Sequence, residues 1–285
     1  MSIAIACMSG SFKGVFVQGV LAEFETNGLR ADAYASVSSS TLSAAFAASG
    51  GVGAIGMDLW TDSLDALELP SVSMSDVVLA GIRKLAPRLL APLFSSEAPR
   101  FLIATSRVTT PEAAEATQGA GARRLGRKLL VDAARRDRTW PDRNLAPCLF
   151  DSRSAVPDTL LTPSNFEEVA YATTRMLHAW PTPAWVAGAA HIDGSYTCLC
   201  PAVELAAMGY RDVIAIATEP GPIPRSMFTD DVIPARVHGA RIRIVQPDAD
   251  LREIGVDFLT ATRQGVEAGF ELGRRKAREF LTTAY

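Results

Sequence analysis

Histidine and cysteine are both scarce in this chain, with 3 of one and 4 of the other among 285 residues. Cys7, Cys148, Cys198 and Cys200 are too few and too irregularly spaced for a disulfide framework, and no CxxC…CxxC pattern sets up a zinc site. A reducing compartment is expected. His178, His191 and His238 leave no His-rich metal centre and few partners for a Ser-His-Asp scheme, so no metal and no cofactor are expected. Long hydrophobic runs are missing as well. No segment approaches the ~18 apolar residues of a membrane span, and the opening stretch lacks the basic and apolar regions of a signal peptide. The expectation is a soluble, cytoplasmic protein. Charge of one sign is not in excess either: 28 Lys+Arg against 31 Asp+Glu give a net charge of -3, with no general attraction for nucleic acid. Without linker composition, low-complexity blocks or repeats, residues 1–285 are expected to form one domain.

What is present is apolar: 48% of residues are hydrophobic, enough for a large core. Ile3 to Cys7 is a short apolar run ending in small residues, the pattern of a buried strand entering a loop. Val17, Val20, Leu21 and Phe24 then recur at helical spacing up to a Gly28 stop. Ala31 to Ala35 leads into a serine turn and a second helix ending at Gly50-Gly51. This β-α-β-α order predicts an α/β fold with a mostly parallel central sheet and helices on both faces. Phe101 to Thr105, Val213 to Ala217 and Ile242 to Val245 supply further inner strands, and a final helix is expected over about Arg263 to Leu281. Two stretches depart from the alternation. Residues 57–98, with an amphipathic segment broken by Pro87 and Pro92, and the Ala/Arg-rich residues 111–147 are expected to be helical insertions over one edge of the sheet.

Three small-residue turns carry the chemistry. Ser9-Gly10-Ser11-Phe12-Lys13-Gly14 joins a strand to a helix, where exposed amides and a cation favour an anion. It matches neither GxGxxG nor GxxxxGK[ST], which excludes dinucleotide and P-loop readings. Ser36-Val37-Ser38-Ser39-Ser40 has the shape of a nucleophile elbow, G-x-S-x-G, with serine at both glycine positions. His191-Ile192-Asp193-Gly194-Ser195 places a carboxylate in an Asp-Gly turn.

Together, in this order, the motifs resemble those of the patatin-like phospholipases. Residues 9–14 are similar to that family's G-G-G-x-[RK]-G opening, the serine turn to its G-x-S-x-G elbow, and Asp193-Gly194-Ser195 to its catalytic D-G-[GA]. The stretch Ala172-Thr173-Thr174-Arg175-Met176 and the run from Gly209 to Ile216 extend the likeness over nearly the whole chain outside the two insertions. The resemblance implies a three-layer fold and a Ser-Asp dyad that cleaves acyl esters of lipids through an acyl-enzyme. Ser38 would be the nucleophile and Asp193 its base. The amides of Gly10, Ser11 and Phe12, with Lys13 nearby, would form the oxyanion hole.

The departures are systematic, since Ser stands for Gly at positions 9, 11, 36, 40 and 195. If Ser11 or Ser40 adopts positive φ, each costs on the order of 1 kcal/mol. Ser39 is the nearest competitor to Ser38. His238 is the one histidine whose chain order would suit a triad, while Cys198 and Cys200 suit apolar packing. The expected function is a serine acyl-ester hydrolase. The alternatives are an acyltransferase using the same dyad, or a catalytically weak acyl-ligand binding protein. The arginines between 123 and 138 suit a solvated helix face or a transient contact with a membrane surface or an acyl carrier. Residues 74–94 suit either a lid over an acyl pocket or plain core.

Overall fold

The computed structural model describes residues 2–284. Nine strands form one open, mixed and mostly parallel sheet. They are β1 (Ile3–Cys7), β2 (Ala33–Val37), β3 (Arg100–Val108), β4 (Leu145–Asp151), β5 (Trp185–Val186), β6 (Ala189–Ile192), β7 (Asp212–Ile216), β8 (Arg236–Val237) and β9 (Ala240–Val245). The ten helices are α1 (Gly14–Thr26), α2 (Thr41–Ser49), α3 (Asp58–Leu67), α4 (Met74–Leu93), α5 (Pro111–Gln118), α6 (Ala122–Ala134), α7 (Thr139–Asn144), α8 (Phe166–Ala172), α9 (Ala202–Ala207) and α10 (Arg263–Ala284). Strands β3, β2, β1, β7 and β9 lie side by side and parallel, as the short apolar runs predict. None of the described helices is long and apolar enough to cross a membrane.

Side-chain alternation divides the core into two layers. Ile5, Cys7, Tyr34, Ile103, Ile214 and Ile216 point to one face and pack under α1, α2, α4, α8 and α10. Ala4, Ala6, Ala33, Ala35, Val213 and Ala215 point to the other, where small side chains let the short α9 approach. Each buried Ile or Phe contributes roughly 1.5–3 kcal/mol, so the first face dominates stability. Helix α10 lies against α1 at very short range. A Cβ on Gly19 would stand 2.1 Å from the Phe270 carbonyl oxygen, and one on Gly273 would stand 2.3 Å from that of Phe16.

Two expectations need correction. Pro87 and Pro92 do not break the amphipathic segment: α4 runs unbroken through both. Each proline is exposed, so the backbone bonds it omits lie on the side that water can reach. Ser73 and Asp76 start this helix with reciprocal bonds, Ser73 N to Asp76 Oδ2 at 2.8 Å and Asp76 N to Ser73 Oγ at 3.3 Å. The insertion also does not cover a sheet edge, because α4 packs on α2 and α8 within the helical layer. The second insertion packs at the β3 end of the sheet, with α5 against β6 and α7 against the edge strand β4.

The arrangement around β3 positions the site. Strand β4 occupies one edge of β3 from Leu102 to Val108. The other edge is shared: β2 pairs in parallel with Arg100 to Ala104, while β6 pairs antiparallel with Ser106 and Arg107. Strands β2 and β6 therefore run toward each other and end on either side of Thr105. The residues that follow them, Ser38 and Asp193, meet at that gap.

Candidate active site

Ser38 sits at φ 57, a left-handed conformation that costs a non-glycine residue about 1–2 kcal/mol. Its hydroxyl donates to Asp193 Oδ2 at 2.8 Å, across 155 positions of sequence. Its amide donates to Thr173 Oγ1 at 2.8 Å, and that hydroxyl in turn donates to the Ala104 carbonyl at 2.6 Å. The elbow is thus held in its strained form by bonds to β3 and to the loop after α8. Ser39, the competitor, has ordinary φ, and its buried Oγ meets no partner among the described residues. Of the two hydroxyls, it is that of Ser38 that bonds the Asp193 carboxylate.

Asp193 is fully buried. Its two carboxylate oxygens are divided between neighbours: Oδ2 faces Ser38, and Oδ1 accepts from the Ser195 amide at 2.8 Å and the Ser195 hydroxyl at 2.5 Å. Burial pushes its pKa up to about 6, with the Ser195 and Ser38 hydrogen bonds working in the opposite direction. At neutral pH the group is mostly ionised yet far more basic than an exposed aspartate. Gly194 admits no side chain, since a Cβ would lie 2.3 Å from the Ala104 carbonyl oxygen. The Asp-Gly turn is pressed directly on β3. Ser106 Oγ fixes it by donating to the Asp193 carbonyl at 2.8 Å, and the Asp193 and Gly194 amides donate to the Arg175 and Thr173 carbonyls.

The turn after β1 packs beside the serine turn because Cys7 pairs with Ser36 across the parallel ladder. Ser11 adopts φ 49, so this serine carries the strain that its glycine-like position suggests. Ser40 does not: its φ is -75, and its hydroxyl bonds the Val37 carbonyl at 2.9 Å. The Lys13 amide donates back to the Gly10 carbonyl at 3.0 Å, whereas the amides of Gly10, Ser11 and Phe12 donate to no oxygen among the described residues. They are backbone donors that this turn leaves without a protein acceptor.

Lys13 behaves differently from the expectation of a cation near that hole. Its buried ammonium donates to Glu219 Oε1 at 2.6 Å and Asp250 Oδ1 at 2.8 Å. These carboxylates follow β7 and β9, so Lys13 ties the turn to two other strand ends. Asp250 is held well below the usual carboxylate range, first by Arg252 and then by Lys13.

No histidine bonds to Ser38 or Asp193 among the described residues. His238 lies in the hairpin that precedes β9, at the sheet end opposite the serine turn, which removes it from any triad. His191 is buried against Thr105 Oγ1 at 2.9 Å, and burial lowers its pKa to about 4, so it stays neutral. All four cysteines are free thiols; Cys198 and Cys200 lie in apolar packing, and burial raises both thiols. Among the described residues, no group of His, Cys, Asp and Glu is arranged to hold a metal.

Thr173, Ser106 and the Ser195 hydroxyl hold the site, but the sequence reading gives none of them a role. Thr173 bonds Ser38 through its side chain and the Asp193-Gly194 turn through its carbonyl. Beside Ser38 opens an apolar cavity of about 80 Å³, walled by Leu42, Trp60, Val78 and Ile82. No protein-family model matches this chain, and no curated protein sequence matches it.

Proposed function

We propose that the protein is a serine acyl-ester hydrolase acting through a Ser38–Asp193 dyad. The observation that carries this reading is the 2.8 Å hydrogen bond from a serine strained to φ 57 onto a buried carboxylate. Strain at a buried polar residue persists where neighbours over-determine it, and here Thr173 and Asp193 do so. The resemblance to patatin-like phospholipases points the same way.

In this mechanism Asp193 Oδ2 takes the Ser38 proton as Oγ attacks the acyl carbon. The carbonyl oxygen gathers negative charge and is met by the Gly10, Ser11 and Phe12 amides, each such donor being worth roughly 10²–10³ in rate. Protonated Asp193 then hands its proton to the departing alcohol, leaving the acyl group on Ser38. Water enters, loses a proton to Asp193 and attacks the ester. The acid leaves, and the proton returns to Ser38. Burial raises the basicity of the carboxylate, which favours direct proton transfer from Ser38 without a histidine. The apolar cavity at Ser38 suits the hydrocarbon part of a lipid-like acyl ester. The four free thiols suit action in the cytoplasm.

A fluorophosphonate probe and a chromogenic butyrate ester test the assignment. Wild type is expected to be labelled and to turn over ester, and Ser38→Ala to do neither. Equal labelling of both proteins would remove Ser38 as nucleophile.

A further inference from the structure

Ser11 and Ser38 are both held at positive φ, but by different means. Ser38 is fastened through its own amide and hydroxyl. The Ser11 side chain makes no hydrogen bond among the described residues, so whatever keeps it at φ 49 has to act on the turn from outside. Two consecutive residues after β7 grip the turn on either side of it. Thr218 Oγ1 donates to the Ser9 carbonyl at 2.6 Å, and Glu219 Oε1 accepts from Lys13 Nζ at 2.6 Å. Between these points Gly10 packs directly on Thr218, where a Cβ would stand 2.8 Å from Cγ2. Asp250, after β9, accepts from the same ammonium at 2.8 Å. Resting on the hydrolase reading, we infer that Glu219, with Thr218 and Asp250, is a positioning residue for the oxyanion turn, and that Lys13 serves as the latch between them and brings no charge to the oxyanion.

A cation beside such a turn invites an electrostatic role, and three features assign Lys13 the other one. Its charge is already matched. Glu219 and Asp250 face Lys13 and Arg252, whose guanidinium lies 2.7 Å from Asp250 Oδ2, so two cations and two carboxylates leave the cluster without net charge. Its burial depends on those acids as well: the Lys13 side chain is 4% exposed, and a buried ammonium is costly unless paired. Finally, the length of the side chain suits a latch. Strands β1, β7 and β9 are neighbours in that order, about 4.8 Å apart, so a residue after β1 needs a long stem to meet carboxylates after both of the others. What the latch sets is the direction of three amides. The N–H groups of Gly10, Ser11 and Phe12 meet no protein acceptor, so their aim follows from the backbone of the turn.

The two roles of Lys13 predict opposite signs for a change in its acidic partner, read on p-nitrophenyl butyrate. If the ammonium acted by charge, Glu219→Gln would unmask it and turnover would hold or rise. If it acts as a latch, Glu219→Gln loosens the turn, and kcat should fall about 10–100-fold with KM within about twofold. Lys13→Met should lose a similar factor. Lys13→Arg, whose fork reaches two carboxylates, should stay within about threefold of wild type. Combining Lys13→Met with Glu219→Gln should be no slower than the slower single variant, because both undo the same contact. Should Lys13→Met fail to fold, Glu219→Gln, at a half-exposed carboxylate, still decides. Turnover equal to or above wild type in Glu219→Gln, or a loss carried by KM alone, would overturn the latch while leaving the hydrolase intact. Absence of Ser38-dependent turnover in wild type would instead defeat the hydrolase reading. Hydrogen exchange then decides the latch by itself, since the Lys13 amide, bonded to the Gly10 carbonyl at 3.0 Å, reports the closed turn. Exchange at that amide at least about tenfold faster in Glu219→Gln, with the β1 amides unchanged, upholds the latch, and exchange at the wild-type rate overturns it.

Discussion

Ser38 stands between two walls of opposite character. Toward the strand junction, every polar group that touches it has a second partner: Thr173 is bonded to Ala104, Asp193 to Ser195, and the Asp193 carbonyl to Ser106. Toward α3 and α4 the neighbours are hydrocarbon and part of the space is empty. The first wall fixes atoms to within a hydrogen bond and accepts strain at φ 57 in return. The second gives up packing to leave room. Substitutions should therefore separate cleanly, with rate lost on the polar wall and selectivity or stability moved on the apolar one.

Asp193→Asn tests the polar wall most severely. Activity on short esters should drop by roughly 10³–10⁴, since an amide cannot take the serine proton. Stability should move the other way. A carboxyl raised from 3.8 to about 6 by burial favours the protonated folded protein, so its stabilising effect is complete below the unfolded pKa and is lost as pH rises through 6. Ionised Asp193 then costs up to about 3 kcal/mol at pH 7, which Asn avoids. Denaturant unfolding should show the variant more stable at pH 7, with the advantage shrinking as pH is lowered through 6. A variant less stable than wild type at pH 7 would mean the site stabilises the carboxylate rather than straining it.

Thr173→Val keeps the shape but removes the acceptor for the Ser38 amide. Leaving that buried donor unmatched should cost about 1–3 kcal/mol. Because the same bond holds the elbow, kcat should fall by about 10–100-fold with little change in KM. A large rise in KM at unchanged kcat would place Thr173 in substrate binding instead.

Which parts of this were legible in the sequence follows from the range of the interactions concerned. Strands β1, β3 and β7 are short apolar runs, and their burial is written locally. Ser38 and Asp193 sit in turns that any strand-helix reading brings forward. Strand β6 is four residues long and pairs through two, too little to leave a periodic signal. Yet its head-on approach to β2 is what brings Ser38 and Asp193 together. Thr173 is one of two adjacent threonines in an alanine-containing stretch, and only the tertiary fold shows which hydroxyl reaches Ser38. Lys13 could be read as a cation near the first turn, but its burial rests on partners, Glu219 and Asp250, that lie more than 200 positions away. Among the serines at glycine-like positions, sequence could not tell Ser11, at positive φ, from Ser40, which is helical.

The pH profile offers a finer test. The proposed mechanism uses ionised Asp193, so kcat/KM should rise with pH through about 6 and level off above it. Ser195 donates two bonds to Oδ1, and both favour the ionised form. Ser195→Ala removes the hydroxyl bond and keeps the amide one, so the midpoint should move upward with the high-pH plateau nearly preserved. An unmoved midpoint combined with a lowered plateau would show that the hydroxyl orients the carboxylate without tuning it.

Gly81→Ala carries the smallest expected effect and probes the apolar wall alone. Alanine in the interior of α4 should stabilise the protein by about 0.5–1 kcal/mol through helix propensity, because the new methyl meets only ordinary contact with Leu59. None of the bonds around Asp193 involves Gly81, so the pH midpoint and butyrate turnover should stay put. A gain in melting temperature with an unchanged pH profile would show that the helical wall trades stability for space independently of the dyad. A shift in the pH midpoint would tie the two walls together, through movement of α4 against the loop that carries Thr173 and Thr174.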